Sequence, residues 1–144
     1  MNSCEIYFIN YVLMNFFSKL FSKKSEKQEI SKASTKGSQM VIIQFFYGLE
    51  DLTEFHLLEQ KIKDLLKRYE IGHYHGHDIS MDFGEGSMYF SSHSANDLFL
   101  CICPVLESHI FMDKAVATLR LGEFDNEKAI ETDKLIHYNK MKSL

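Results

Sequence analysis

The sequence predicts a small α+β domain in which strand, helix, strand, strand, helix and strand follow one another. Three observations predict it. Val41 to Tyr47 is a β-branched and aromatic run closed by Gly48, the composition of a central strand. From Phe55 to Tyr69 the apolar residues recur at intervals of three and four, which is the period of an amphipathic helix. Beyond Gly72 the alternation of period two returns, broken by Gly84-Glu85-Gly86, as expected of a β-hairpin.

The elements follow in order. The first strand is apolar on nearly both faces: Val41, Ile43 and Phe45 share one side, Ile42 and Phe46 the other. Phe55, Leu58, Ile62, Leu65, Leu66 and Tyr69 form the buried stripe of the first helix, with Asp51 or Thr53 as N-cap and Gly72 just past its end. In the hairpin, His77, Ile79 and Met81 alternate with Asp78, Ser80 and Asp82, and Ser87 to Ser91 forms the return strand. On that parity Ile79 and Met81 face the core. Ser94-Ala95-Asn96-Asp97 resembles a capping box with Asp in place of Glu, and it opens a mostly buried helix through Leu106. Pro104 removes one hydrogen bond from that helix and is expected to bend its last turn. Ala115 to Leu121 reads as a strand ending at Gly122, and Lys128 to Tyr138 as a further strand or short helix.

The totals agree with one core. A chain of 144 residues, 45% hydrophobic and 25% charged, has the size and composition of a single globular domain. Its charge is unevenly placed: residues 1 to 40 hold six lysines against three glutamates, so the overall −4 leaves −7 on residues 41 to 144. Residues 1 to 39 therefore read as a basic arm and residues 40 to 144 as the domain. The apolar stretch Ile6 to Phe17 is shorter than the ~20 residues a bilayer requires and is interrupted by asparagines. The charge before it is Glu5, and no small-residue cleavage site follows, which argues against export. Met14 is an alternative start, and Met14 to Lys24 then carries the apolar residues and lysines of a short interfacial helix, so membrane contact through the arm is weak at most. The odd count of cysteines (Cys4, Cys101, Cys103) argues against a disulfide framework and for the cytoplasm.

The βαββαβ order over residues 41 to 121 is that of the ferredoxin-like fold, a four-stranded antiparallel sheet with two helices on one face. A resemblance points the same way. Ile71-Gly72, Gly76-His77-Asp78-Ile79, Gly86-Ser87-Met88-Tyr89, Ala95-Asn96-Asp97-Leu98-Phe99, Pro104-Val105-Leu106-Glu107 and Ala117-Thr118-Leu119-Arg120-Leu121-Gly122 together resemble a group of short, uncharacterised bacterial proteins. The likeness spans about residues 41 to 122 and omits the arm. The chain departs from that pattern at His75, where the group tends to be acidic, and at Ser91-Ser92-His93, where it tends to read Tyr-Gly-Pro. The resemblance implies a compact bacterial α+β domain and no agreed activity.

No catalytic motif stands out, and no nucleotide cofactor is implied, because Gly84-x-Gly86 lacks the third glycine of a dinucleotide fingerprint and the Lys-Ser/Thr of a P-loop. Two constellations remain. His73, His75 and His77 lie two apart and on an unbroken strand would present three imidazoles on one face, with Asp78 beside them, a ligand set for zinc, copper or nickel. Against that, Gly72 and Gly76 interrupt the strand. Asp78, Asp82 and Glu85 could share one side of the hairpin, where a solvated surface is the ordinary reading. Cys101 and Cys103 lie in an apolar run and read as buried small hydrophobes.

The second constellation is the far face of the sheet. Two helices cover one face only, so Ile42 and Phe46 need another cover: Ile130 to Tyr138, a second copy, or a different protein. Phe46, Tyr89 and Arg120 on that face would also suit stacked RNA bases, but −7 on the domain repels phosphates. The sequence therefore points to a non-enzymatic domain that binds another protein or itself, a toxin-neutralising (immunity-type) partner being one form. A metal protein using His73, His75 and His77 is the alternative, and RNA binding the second.

Overall fold

A computed structural model describes residues 39 to 122 and 127 to 142. Five strands, β1 (Gln39–Phe46), β2 (His73–Ile79), β3 (Glu85–Ser92), β4 (Val116–Leu121) and β5 (Ile130–Leu135), form one antiparallel sheet in the order β2-β3-β1-β4-β5. Two helices accompany it, α1 (Thr53–Tyr69) between β1 and β2, and α2 (Ala95–Glu107) between β3 and β4. The expected sheet of four strands is thus corrected to five. Ile130 to Leu135 pairs along β4 from Leu121↔Ile130 to Val116↔Leu135, so this segment widens the sheet and does not cover its far face. The basic arm proposed for residues 1 to 39 lies outside the described residues except for Gln39, which already belongs to β1.

The helix ends show how side chains satisfy backbone groups that the helices leave open. Ser94 Oγ accepts the Asp97 N–H at 3.3 Å, the cap read from the sequence, and Gln39 Oε1 accepts the Ala95 N–H at 2.8 Å. At α1 the work is divided: Asp51 Oδ1 accepts from Thr53 N at 2.8 Å, and the Tyr47 hydroxyl accepts from Phe55 N at 3.2 Å. The left-handed residue that ends α1 is Glu70, with φ 50°, two positions before the glycine expected there. α2 runs through Pro104 to Glu107.

Both helices pack on one side of the sheet. Val41, Ile43 and Phe45 of β1, Met88 and Phe90 of β3, and Ala117 and Leu119 of β4 meet Phe55, Leu58 and Ile62 of α1 and Leu98, Ile102 and Leu106 of α2 in a single core. One end of it is aromatic. Phe45 lies 5.9 Å from Phe55 and 5.9 Å from Phe111, and Tyr47 stands edge-on to Phe111 at 4.9 Å. Phe111 and Met112 come from a short 3₁₀ turn, Ile110–Met112, that the sequence reading passed over. Met81 does not face the core; it is 100% exposed. Ser80 Oγ accepts the N–H groups of Gly84 and Glu85 at 3.1 and 3.0 Å, and Asp82 Oδ1 accepts from the Ser80 hydroxyl at 2.6 Å, so the chain turns at Ser80 and ends the strand's alternation before Met81.

His109 is buried at the exit of α2, with Nδ1 3.0 Å from the Val105 carbonyl oxygen. Burial, helped by the positive charge of Lys61, holds its imidazole below the ordinary histidine range, although the Val105 carbonyl and Glu54 pull the other way. The unfolded chain then takes up this proton first as acid is added. Stability is expected in full above about pH 6.5 and to decline as the pH falls from there through the folded-state value. His109→Asn keeps a donor for Val105 and does not titrate, so urea midpoints of this variant between pH 7 and 5 should fall less than those of the native chain.

Candidate functional site

Strand alternation and register place the remaining β1 side chains, Met40, Ile42, Gln44 and Phe46, on the face opposite the helices. Along the cross-strand rows Met40 is flanked by Ser91 and Arg120, Ile42 by Tyr89 and Thr118, and Gln44 by Ser87 and Val116, while Phe46 lies beside Glu85. The register thus brings Ile42, Phe46, Tyr89 and Arg120, the interaction residues read from the sequence, to one face. Phe46 is 70% exposed. It borders a hollow of about 330 Å³ that is also lined by Gln44, Glu85, Ser87 and Lys114.

Carboxylates surround this apolar strip. Asp78 accepts from the Tyr89 hydroxyl at 3.0 Å, Asp133 accepts from the Thr118 hydroxyl at 2.7 Å, and Glu131 and Glu85 share the face through their pairing with Arg120 and Phe46. Four acids on β2, β3 and β5 therefore flank the strip, with Arg120 among them and Lys114 at one end. Lys134 belongs to the other side, where its ammonium lies 5.6 Å from the centre of the Phe99 ring.

The edges of the sheet are poor surfaces for self-pairing. β2 carries a register shift between Tyr74 and Gly76, and Gly76 has φ 113°, so its outer rim is bulged. On β5 a two-fold antiparallel pairing sets residues of like face opposite each other. Centring it on Glu131, on Thr132 or on Asp133 puts carboxylate against carboxylate in every case. Edge-to-edge dimers are disfavoured at both ends, which turns attention to the open face.

The same bulge separates the histidines. His75 Nε2 lies 2.6 Å from the Ser91 hydroxyl on the open face, and His73 pairs with Ser91 in the same sheet region. His77 turns to the helix side, where its ring meets Phe55 at 4.5 Å. Asp78 points back to Tyr89. The candidate ligands His73, His75, His77 and Asp78 are therefore divided between two faces, and among the described residues no group of three His, Cys, Asp or Glu side chains stands close enough to hold a metal ion.

What His77 joins instead is a polar cluster that the sequence did not suggest. Glu59 of α1, whose side chain is 13% exposed, receives the Tyr74 hydroxyl at 2.9 Å, His77 Nδ1 at 3.1 Å and Lys63 Nζ at 3.3 Å, with His56 Nδ1 at 3.5 Å. A carboxylate only accepts, so His77 carries its proton on Nδ1, and the Tyr74 oxygen, 3.0 Å away, accepts from that nitrogen while giving its own proton to Glu59. Burial raises the Glu59 carboxyl, but the hydrogen bonds from Tyr74, Lys63 and His56 together outweigh it and hold it below its usual range. Burial, reinforced by the Glu59 charge, pushes the Tyr74 phenol upward, so it stays protonated. Every proton has an acceptor, and the cluster acts as a clamp that fastens β2 to α1. Glu59→Leu should cost about 1–3 kcal/mol by leaving the Tyr74 hydroxyl without its acceptor, and Glu59→Gln less; urea unfolding at pH 7 measures both.

Cys101 and Cys103 are buried in α2. Burial pushes the Cys101 thiol up to about 11, and the Cys103 thiol lies 3.4 Å from Glu107 Oε1. Neither has the accessible setting that a nucleophilic cysteine requires. Among the described residues no helix is long and apolar enough to cross a membrane. In comparisons with known proteins, no family model, curated protein or solved structure matches the chain.

Proposed function

We propose that this chain is a non-enzymatic interaction domain whose working surface is the open face of the sheet. The reading is carried by one observation: Met40, Ile42, Phe46 and Tyr89 form an apolar strip, interrupted on β1 by Gln44, with no covering element among the described residues and flanked by Asp78, Glu85, Glu131 and Asp133. A surface that is apolar at its centre and acidic at its rim takes a partner that is apolar at its centre and basic at its rim. A second copy offers the same four acids, so the preferred partner is a different polypeptide. The order β4-β1-β3-β2, with one helix in each crossover, supports reading the first four strands as a ferredoxin-like βαββαβ unit to which β5 adds an edge. The buried thiols of α2 fit a reducing compartment, and we place the protein in the cytoplasm.

RNA would meet Phe46, Tyr89 and Arg120 on this face, but it would meet the four carboxylates as well, and phosphate binding draws its strength from cations. The test is photo-crosslinking in cells, with the reactive group at position 46 on the open face or at position 57 on the exposed side of α1. A discrete polypeptide captured only from position 46, identified and then bound by the purified chain, supports the reading. Equal capture from both positions, or capture of nucleic acid from position 46, contradicts it.

A further inference from the structure

We infer that the open face has a ligand within its own chain: the segment Met14 to Lys24, which covers the strip in cis until a partner displaces it. The inference rests on the reading of that face as a docking surface and adds its regulation. Three observations carry it.

The first is the point of attachment. The chain enters the fold at Gln39, the first residue of β1, and β1 is the middle strand of the five. Met40 and Ile42, the first two open-face residues of that strand, are therefore next to the place from which residues 1 to 38 depart. Fourteen residues, Ser25 to Ser38, join the segment to Gln39, and the covalent limit on their reach is about 46–50 Å. From β1 to either sheet edge is only two strand spacings, roughly 10 Å. Reach is not limiting.

The second is chemistry. Phe16, Phe17, Leu20 and Phe21 supply large apolar side chains, and Lys19, Lys23 and Lys24 lie among and just after them. The open face offers the matching pattern, with Met40, Ile42, Phe46 and Tyr89 at the centre and Asp78, Glu85, Glu131 and Asp133 around them. The third is the division of charge, +3 on residues 1 to 40 against −7 on the remainder. That division favours contact between the two parts and disfavours contact between two copies of the acidic face. A tethered ligand needs little intrinsic affinity, since its effective concentration is in the millimolar range.

The experiment uses the full chain. Cys4→Ser and Ser22→Cys place one reactive thiol within the segment, and Cys101 and Cys103 are buried, so a nitroxide goes to position 22. NMR signals of Ile42, Val116 and Thr118 on the open face should then lose intensity, while those of Leu57 and Lys61 on the outer side of α1 keep theirs. Raising the salt from about 0.1 M to about 1 M, which shortens the screening length from roughly 10 to 3 Å, should restore part of the loss. Lys19→Glu, Lys23→Glu and Lys24→Glu together should restore more. Uniform broadening, or none on the open face, overturns the inference. So does broadening of an isotope-labelled, nitroxide-free chain mixed with an unlabelled spin-labelled one, because the segment would then act between copies. A failure here leaves the cross-linking from position 46 unaffected, and the two ideas can fail separately.

Discussion

Phe55→Ala should cost about 3–5 kcal/mol, the usual range for emptying a buried aromatic site. For a domain of this size that is a large part of the whole folding free energy. Phe55 is fully buried at the first turn of α1, 5.9 Å from Phe45, 6.2 Å from Tyr47 and 4.5 Å from His77. Its loss therefore opens a cavity between helix and sheet and also removes the ring that backs His77 in the Glu59 clamp. Urea denaturation should show a lower midpoint with an unchanged slope. Hydrogen exchange should quicken first in β2, which depends on that clamp. Phe46→Ser removes a phenylalanine from the same strand but from the exposed face, and should move the midpoint by under 1 kcal/mol.

Gly86→Ala should be a strongly damaging addition of a single methyl group. A Cβ at Gly86 would stand 2.5 Å from the Phe45 ring, well inside contact distance. The ring cannot turn aside easily, because Phe55, Tyr47 and Phe111 bracket it. The expected cost is about 1–3 kcal/mol from overpacking, which lowers the melting temperature by roughly 5–20 °C. Gly84→Ala provides the control: its nearest contact is the exposed Asp82 carboxylate at 3.1 Å, and a carboxylate in solvent has room to move. If both variants melt together, the packing of Phe45 over Gly86 is wrong.

Much of the fold was legible because it is written locally. The stripe Phe55-Leu58-Ile62-Leu66 is buried as its period required, Ser94 caps α2, and Ile42, Phe46, Tyr89 and Arg120 share the face that strand parity assigned to them. What could not be read depends on distant pairing or on one irregular residue. The strand at Ile130 to Leu135 is nearly all exposed, so hydrophobic periodicity carries little signal for it, and only its alignment with β4 makes it a strand. Strict alternation would align the three histidines; Gly76 marks the interruption in the sequence, but only the register shows that the bulge between Tyr74 and Gly76 reverses the parity and sends His77 to the helix. Glu59 was invisible as a site residue because its partners lie fifteen and eighteen positions away across a helix–strand contact, and one exposed-looking glutamate on a helix gives no hint of them.

The measurement that bears most directly on the open face is the affinity of the purified full chain for the polypeptide captured at position 46. It should be made with the native chain, Phe46→Ser and Leu57→Ser at two salt concentrations. Removing an exposed aromatic anchor from an interface should weaken binding about tenfold or more, equivalent to ~1.4 kcal/mol. Leu57→Ser should leave binding unchanged, and higher salt should weaken the native interaction by screening the four carboxylates from a basic partner. Equal affinities for the two variants, or binding indifferent to salt, would contradict the assignment of the open sheet face as the surface by which this protein works.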